Sequence, residues 1–252
     1  MLIRACGIRK SFRTGGRKVE VLKGCSLCIG ERETVVLFGE SGCGKTTLGK
    51  VLLMLEKPDA GEVFYRDVEL TGLRNLGHLR RKLQLIPQNP GEALDPRWKI
   101  YDSLAEPLRV HKLADNREEE LEMVMSFAEM VGLKEEHLHR RPAEVSGGEL
   151  QRVAIARALI LEPEFVVCDE PTSMLDVSVQ AAIVRMLMDF QKKLGISYLF
   201  ITHDFSLAKA VADRMYVMGG GIVVKELRKE ELQGLPPESL KLHKLLTASL
   251  RP

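Results

Sequence analysis

The strongest constraint on the fold of this chain is a glycine-rich segment that lies between a short apolar run and a helical pattern. Residues 34–38 read TVVLF, a β-branched apolar run typical of a buried parallel strand. Residues 39–47 read GESGCGKTT, which matches the phosphate-loop pattern G-x-x-x-x-G-K-[ST], and LGKVLLML then continues as a helix. A strand, a turn and a helix in this order favour an α/β fold with a largely parallel sheet.

The residue types of this loop suit an anion site. Glycines let successive backbone N–H groups turn toward phosphate oxygens, and the helix that starts near Lys45 adds its N-terminal dipole. Lys45 is expected to reach the terminal phosphates of a nucleotide, and Thr46 to offer its hydroxyl to Mg²⁺. Cys43 is interpreted as a small loop residue, since a nucleophilic cysteine needs a base partner. The expected phosphate-binding residues are Gly39, Glu40, Ser41, Gly42, Cys43, Gly44, Lys45, Thr46 and Thr47.

Two further apolar runs end in polar residues that suit nucleotide hydrolysis. FVVCD at residues 165–169 predicts a buried strand that ends in the pair Asp169 and Glu170. Asp169 is expected to hold Mg²⁺, directly or through water, and Glu170 to orient or deprotonate the attacking water. Helix capping is the alternative interpretation of this pair. YLFIT at residues 198–202 predicts a third strand followed by His203, for which a satisfied capping role is again the alternative.

Residues 83–145 differ from the flanking sequence because their apolar residues recur at helical spacing. The apolar side of one predicted helix consists of Leu121, Val124, Met125, Ala128 and Val131, with the acidic run 118–120 on the other side. The pattern predicts one domain of residues 1–252, in which 1–82 and 146–252 form the α/β core and about 83–145 form an inserted helical lobe. The final segment SLKLHKLLTASLRP is typical of a short amphipathic helix.

Charge and hydropathy argue against several functions. Lys and Arg number 37 against 35 Asp and Glu, and this near-neutral balance argues against nucleic acid as a partner. No apolar stretch reaches the ~18 residues of a membrane span, so any membrane role is expected to be peripheral. The charged N-terminus and five scattered cysteines are typical of a reduced, cytoplasmic protein. Cys25 and Cys28 are interpreted as buried strand residues instead of metal ligands, and His137 and His139 as a solvated surface pair.

The segment VSGGELQR at residues 145–152 predicts a second anion site. Ser146 is a favourable N-cap residue, and Gly147 and Gly148 leave the first backbone N–H groups of the helix ELQRVAIARALI unobstructed. Whether this site and the phosphate loop bind the same nucleotide is not determined by their spacing.

These motifs, in this order and over essentially the whole chain, resemble those of the ABC ATPase family. The resemblance implies a P-loop NTPase core with a mainly parallel sheet, an N-terminal antiparallel β portion and an inserted α-helical lobe. It also implies a head-to-tail dimer, in which the phosphate loop of one subunit and the Ser-Gly-Gly signature of another enclose ATP. One chain then supplies half of each site.

The family's roles map onto individual residues of this sequence. The resemblance identifies residues 39–47 as the Walker A loop, Asp169 as the Walker B aspartate and Glu170 as the catalytic glutamate. Gln88 in LIPQNP is then the glutamine that meets Mg²⁺ and senses the membrane subunits, and His203 in ITHD the switch histidine near the γ-phosphate. The implied catalytic residues are Lys45, Glu170 and His203, and the implied Mg²⁺ ligands are Thr46, Gln88 and Asp169.

Further nucleotide contacts follow from the same resemblance. Phe12 in KSF falls where the family has an aromatic residue stacked on adenine, with a core position as the alternative, and Asp176 in SMLD falls in the D-loop. Two signature positions depart from the common pattern, since Val145 replaces Leu and Glu149 replaces Gln. The charge of Glu149 suits the helix dipole but is unfavourable to a nearby γ-phosphate. The expected ATP-binding set at this half-site is Ser146, Gly147, Gly148 and Glu149.

The segment QNPGEALDPRWKIYDSLAEPL resembles the corresponding segment in the ATPase subunits of importers of peptides and of nickel. The final residues LKLHKLLTASLRP resemble a stretch of the same subfamily. This resemblance implies three kinds of partner: a second, non-identical ATPase subunit, two integral membrane permease subunits and an extracytoplasmic substrate-binding protein. It implies a location at the cytoplasmic face of the cell membrane. Because short nickel-type members end near this length, nickel or a metal chelate is the favoured cargo at this point.

Two other classes remain as alternatives. A soluble ABC ATPase that acts on nucleic acid or the ribosome usually carries two cassettes or a long coiled-coil insertion, and neither is present in this sequence. A small-molecule kinase would use the phosphate loop but would leave VSGGELQR and ITHD without a role.

Overall fold

The computed structural model describes residues 1–235 of the chain. The segment SLKLHKLLTASLRP, predicted as an amphipathic helix, lies outside the described residues. The described residues divide into two compact units: residues 1–76 with 197–235, and Gly77–Ile196. The predicted boundaries of the helical lobe, at about 83–145, stay a prediction.

The regular elements of residues 1–235 are named in chain order. The strands are β1 (Ile3–Thr14), β2 (Arg17–Ile29), β3 (Thr34–Gly39), β4 (Ala60–Tyr65), β5 (Val68–Glu69), β6 (Leu83–Ile86), β7 (Phe165–Asp169), β8 (Ser197–Thr202), β9 (Arg214–Gly219) and β10 (Ile222–Arg228). The helices are α1 (Lys45–Leu52), α2 (Leu79–Lys82), α3 (Ile100–His111), α4 (Arg117–Met130), α5 (Glu135–Leu138), α6 (Gly147–Leu159), α7 (Val177–Leu194), α8 (Phe205–Val211) and α9 (Lys229–Gly234). Among these helices, none combines the length and the apolar character that a bilayer span requires.

An antiparallel sheet in the order β2-β1-β4-β5 opens the first unit. The β1–β2 hairpin turns at Gly15 and Gly16, whose φ angles are 57° and 78°. Two successive positive φ angles match the right-handed twist of the paired strands, and glycine adopts them without a Cβ penalty. This sheet is the N-terminal antiparallel portion that the family resemblance implied.

The second sheet of this unit has β3 at its centre. β3 pairs in parallel with β8 on one side and with β9 on the other, and β10 pairs antiparallel with β9. Every residue of β3 and of β8 is buried. Strands that are covered on both faces need continuous apolar sequences, which is why TVVLF and YLFIT do not alternate with polar residues. Both predicted strands are therefore confirmed.

The second unit combines a short parallel strand pair with a group of helices. β6 and β7 pair from Leu83 opposite Phe165 to Ile86 opposite Cys168. β7 is wholly buried, as predicted for residues 165–169. Helices α3, α4 and α6 contact one another around an apolar core. The fold class predicted from the sequence, a mixed α/β protein with a helical portion, is confirmed.

The buried face of α4 differs from the prediction at two adjacent positions. Leu121 is 47% exposed, whereas Glu120 is only 8% exposed. Glu120 accepts hydrogen bonds from Arg109 on α3, at 2.7 Å to each carboxylate oxygen, and from the Tyr101 hydroxyl at 2.9 Å. These bonds, above all those from Arg109, hold the pKa of Glu120 below its usual range. Because its charge is paired, the carboxylate takes the inward position that the sequence pattern assigned to leucine.

Replacement of Glu120 by Ala is expected to lower the free energy of unfolding by about 1–3 kcal/mol, because Arg109 and Tyr101 lose their shared acceptor. Denaturant unfolding of Glu120→Ala measures the loss. The matched control is Glu122→Ala on the exposed side of the same helix, where a change within about 0.5 kcal/mol is expected. Equal losses from both substitutions would contradict a stabilising role of the buried carboxylate.

Candidate functional site

The loop between β3 and α1 is shaped by close backbone approach. An added Cβ at Gly39 would overlap the main-chain oxygen of Met218 on β9. Gly44, the N-cap of α1, has a φ of 105°, and a Cβ there would meet Leu22 at 3.0 Å. Glycine is therefore required where the loop begins and where the helix starts.

Lys45 lies across this loop instead of extending into solvent. Its side chain is nearly buried, and its Nζ donates to the carbonyls of Gly39 at 2.9 Å and of Glu40 at 2.8 Å. The ammonium group is thus held against the start of the loop, where it can meet a bound anion. Residues 40–42 and Thr46 are exposed, while Cys43 and Thr47 are half-buried.

The cysteines of the first unit have structural positions. Burial raises the pKa of the Cys43 thiol, which supports its interpretation as a loop residue and not a nucleophile. Cys25 donates to the Gly221 carbonyl at 3.1 Å, and Cys28 contacts the Tyr216 hydroxyl at 3.5 Å. Across residues 1–235 no group of three or more His, Cys, Asp or Glu side chains is arranged to hold a metal ion.

His203 follows directly after β8 and is exposed. The capping role that was its alternative interpretation belongs to the next residue: Asp204 accepts from the backbone N–H of Ser206 at 2.7 Å and of Leu207 at 3.1 Å. Since Phe38 of β3 pairs with Thr202 of β8, the phosphate loop and His203 leave the same edge of the sheet.

Phe12 lies on β1, opposite Val19 of β2, and its ring is half-buried. The Lys10 ammonium group lies 5.1 Å from the ring centroid, within the range of a cation–π contact. A core position, the alternative considered for Phe12, does not agree with this partial exposure. Its predicted contact with adenine stays a prediction.

In the second unit, the structure brings Gln88 and Glu170 together. Gln88 lies two residues after β6, Glu170 follows β7, and the Gln88 amide donates to the Glu170 carboxylate at 3.2 Å. The hydroxyl of Ser173 donates to the Glu170 carbonyl at 3.1 Å. Glu170 also has a φ of 44°, a left-handed conformation that is uncommon for a non-glycine residue.

Ser146 is the N-cap of α6, as predicted. Its Oγ accepts from the Glu149 backbone N–H at 3.3 Å, and the Glu149 carboxylate in turn accepts from the Ser146 backbone N–H at 2.8 Å and hydroxyl at 2.9 Å. This reciprocal capping box lowers the pKa of Glu149, chiefly through the bond from the Ser146 backbone. Gly147 and Gly148 add no side chain at the start of the helix.

The interpretation of His137 and His139 as a solvated pair is wrong for His137. His139 is exposed, but His137 is only 6% exposed and accepts the Lys134 backbone N–H at its Nδ1, at 2.9 Å. Its Nε2 lies 3.2 Å from the Glu149 carboxylate. The sequence does not reveal this contact because the two residues lie on different helices.

Asp176, which the family resemblance places in the D-loop, is the exposed N-cap residue of α7.

The fold is that of an ATP-binding cassette. A dimeric post-hydrolysis structure of the cassette MJ0796, bound to ADP and Pi, matches with a TM-score of 0.83 at 29% identity, over 90% of this chain and 99% of that one. A second dimeric structure of MJ0796, a bacterial ABC transporter cassette, matches with the same TM-score at 30% identity, over the same shares of the two chains. One solved structure of similar fold thus contains bound ADP and phosphate.

The chain belongs to the ABC transporter family, whose model matches residues 22–173. It is 41% identical to the oligopeptide transport ATP-binding protein OppF of Bacillus subtilis, over 91% of this chain and 76% of that protein. It is 40% identical to the dipeptide transport ATP-binding protein DppF of Escherichia coli, over 91% and 69% respectively. The oligopeptide transport ATP-binding protein AmiF of Streptococcus pneumoniae is also 40% identical, over 90% and 74%. The chain is therefore an ATP-hydrolysing cassette.

Replacement of Lys45 by Ala is expected to reduce ATP hydrolysis about 100-fold or more, since the loop would lose the cation that is expected to meet the transferred phosphate. Phosphate release from ATP, measured at saturating Mg²⁺, gives the rate. Lys50→Ala, at the half-buried end of the same helix, is the matched control and should keep at least about half of the activity. Comparable losses in both variants would contradict a specific role of Lys45.

Proposed function

We propose that this chain is the ATP-hydrolysing subunit of an importer that takes up peptides. The observation that carries the proposal is its 40–41% identity, over nine-tenths of its length, to ATP-binding proteins named for oligopeptide and dipeptide transport. Among the chain's relatives those names favour peptides over the nickel chelate considered from chain length. Nickel remains an outcome of the cargo experiment below.

The proposed hydrolysis assigns a role to each of three side chains. Lys45 and the loop N–H groups bind the terminal phosphates, and Glu170 accepts a proton from the attacking water. The 3.2 Å bond from Gln88 supports this role, because it holds the Glu170 carboxylate in a defined position. His203 is assigned to the γ-phosphate.

Mg²⁺ fits the proposed ligands, which are the Thr46 hydroxyl, the Gln88 amide oxygen and the Asp169 carboxylate. All three are hard oxygen donors, and Asp169 is a nearly buried carboxylate at the end of β7. When bound, the ion neutralises phosphate charge.

The proposed assembly is a head-to-tail pair with a second, non-identical ATPase. Ser146, Gly147 and Gly148 suit this arrangement because they form an anion-binding helix start separate from the phosphate loop in sequence. Phe12 on adenine and Asp176 at the subunit boundary complete the proposed contacts. The dimeric form of MJ0796 supports the same type of assembly.

Two permease subunits and an extracytoplasmic binding protein are the further partners we propose, at the cytoplasmic face of the membrane. The segment that follows Gln88 in the sequence has an exposed surface that suits contact with a partner subunit. Trp98 is 39% exposed beside a cavity of about 340 Å³, and the buried Ser103 hydroxyl on the same cavity has no hydrogen-bond partner among the described residues. A partner covering this cavity would make an apolar contact with the exposed Trp98 ring.

Glu170→Gln is expected to trap an ATP-bound dimer, because the amide keeps the shape of the side chain but does not accept the proton from water. Size-exclusion chromatography with light scattering, with the second ATPase subunit present, measures the dimer in ATP and in ADP. A dimer in ATP alone supports the sandwich. If no ATP-dependent dimer forms while the monomer still binds nucleotide, the sandwich arrangement is contradicted.

The cargo is tested on the complete transporter, purified from membranes through a tag on this chain and reconstituted in liposomes. Binding protein loaded with trialanine is expected to stimulate ATP hydrolysis several-fold, and binding protein offered nickel–histidine is not. The reverse result would assign the transporter to metal chelates. Recovery of this chain with RNA or DNA, and without membrane subunits, would contradict a transport role.

A further inference from the structure

His137 is a buried histidine whose two ring nitrogens have different partners. Nδ1 accepts the backbone N–H of Lys134 at 2.9 Å, so this nitrogen carries a lone pair. The proton of the neutral ring is therefore on Nε2, which lies 3.2 Å from Oε1 of Glu149. The backbone bond thus fixes the tautomer that lets Nε2 donate to the carboxylate.

Glu149 connects this histidine to the signature serine through its other oxygen. Oε2 accepts from the Ser146 backbone N–H at 2.8 Å and from the Ser146 hydroxyl at 2.9 Å. The Ser146 hydroxyl is also the donor that the proposed site would turn toward a terminal phosphate. A carboxylate of this chain and the phosphate of ATP therefore compete for one proton donor.

The competition has an electrostatic side. A carboxylate beside a terminal phosphate repels it unless its charge is held by donors elsewhere. The Nε2 donor of His137 binds Oε1, the oxygen that does not contact Ser146. Glu136, whose carboxylate lies 3.8 Å from Nε2 and 3.6 Å from the Arg140 guanidinium, is the other charged group at this ring.

We propose that His137 is a positioning residue for the signature half-site: it retains the Glu149 carboxylate through Oε1 while Ser146 transfers its hydroxyl bond to phosphate. The inference rests on the proposed function, in which this half-site closes on ATP held by a second subunit. His137 acts through Glu149 and does not contact the nucleotide.

The test uses variants made in the Glu170→Gln background, where dimerisation reports binding without turnover. The readout is the ATP concentration that gives half of the dimer, with the second ATPase subunit present. His137→Ala is expected to raise this concentration about tenfold, the equivalent of one charge-assisted hydrogen bond. His137→Gln keeps an N–H near the position of Nε2 and should stay within about twofold of the parent.

Glu149→Gln separates positioning from mere stability. With the charge removed there is no carboxylate to restrain, so His137→Ala should change the dimerisation midpoint by less than about twofold in that background. His139→Ala, at the exposed neighbouring histidine, is the matched control and should have no effect. The affinity of the isolated monomer for ATP should be unchanged in every variant.

Two results would overturn the inference: an equal effect of His137→Ala with Glu149 and with Gln at that position, or a midpoint that stays the same or falls. The first would mean that His137 only stabilises the fold. Failure of the Glu170→Gln parent to dimerise with ATP is a different outcome, since it would reject the proposed sandwich and this inference with it.

Discussion

The constraint on which the nucleotide-binding unit depends is the complete burial of β3 between two parallel neighbours. Because β8 and β9 pair with both edges of β3, its backbone groups are hydrogen-bonded along its length, and its side chains, which are apolar from Val35 to Phe38, are all buried. The polar residues of the loop begin directly after the strand, at Glu40 and Ser41. The closeness of Met218 of β9 to Gly39 further decides that this segment begins with glycine.

In the second unit, two polar residues assigned to the nucleotide are each hydrogen-bonded to a second polar side chain. Glu170 is held by Gln88, and Ser146 is held by Glu149, which in turn meets His137. Each pair joins a residue assigned to the nucleotide with one that fixes its direction. Such paired groups lose less entropy when a ligand arrives, because their side chains are already ordered.

The sequence predicts the parts of this structure that depend on local pattern. The three buried strands, the glycine turn before Lys45 and the N-cap at Ser146 follow from residue type and spacing alone. The inward turn of Glu120 does not, because it depends on Arg109 from another helix. The burial of His137 is missed for the same reason, since its partner Glu149 lies on α6. What the sequence hides is therefore the pairing of polar groups between elements.

Cysteine chemistry is the remaining consequence of the way the phosphate loop is built. The thiolate is the form of cysteine that reacts with oxidants, and burial raises the pKa of the Cys43 thiol and keeps it protonated. Burial also raises the pKa of Cys25 on β2 to about 11. The Cys43 sulfur therefore serves the loop as a packing atom, and the protonated thiol reacts slowly with oxidants.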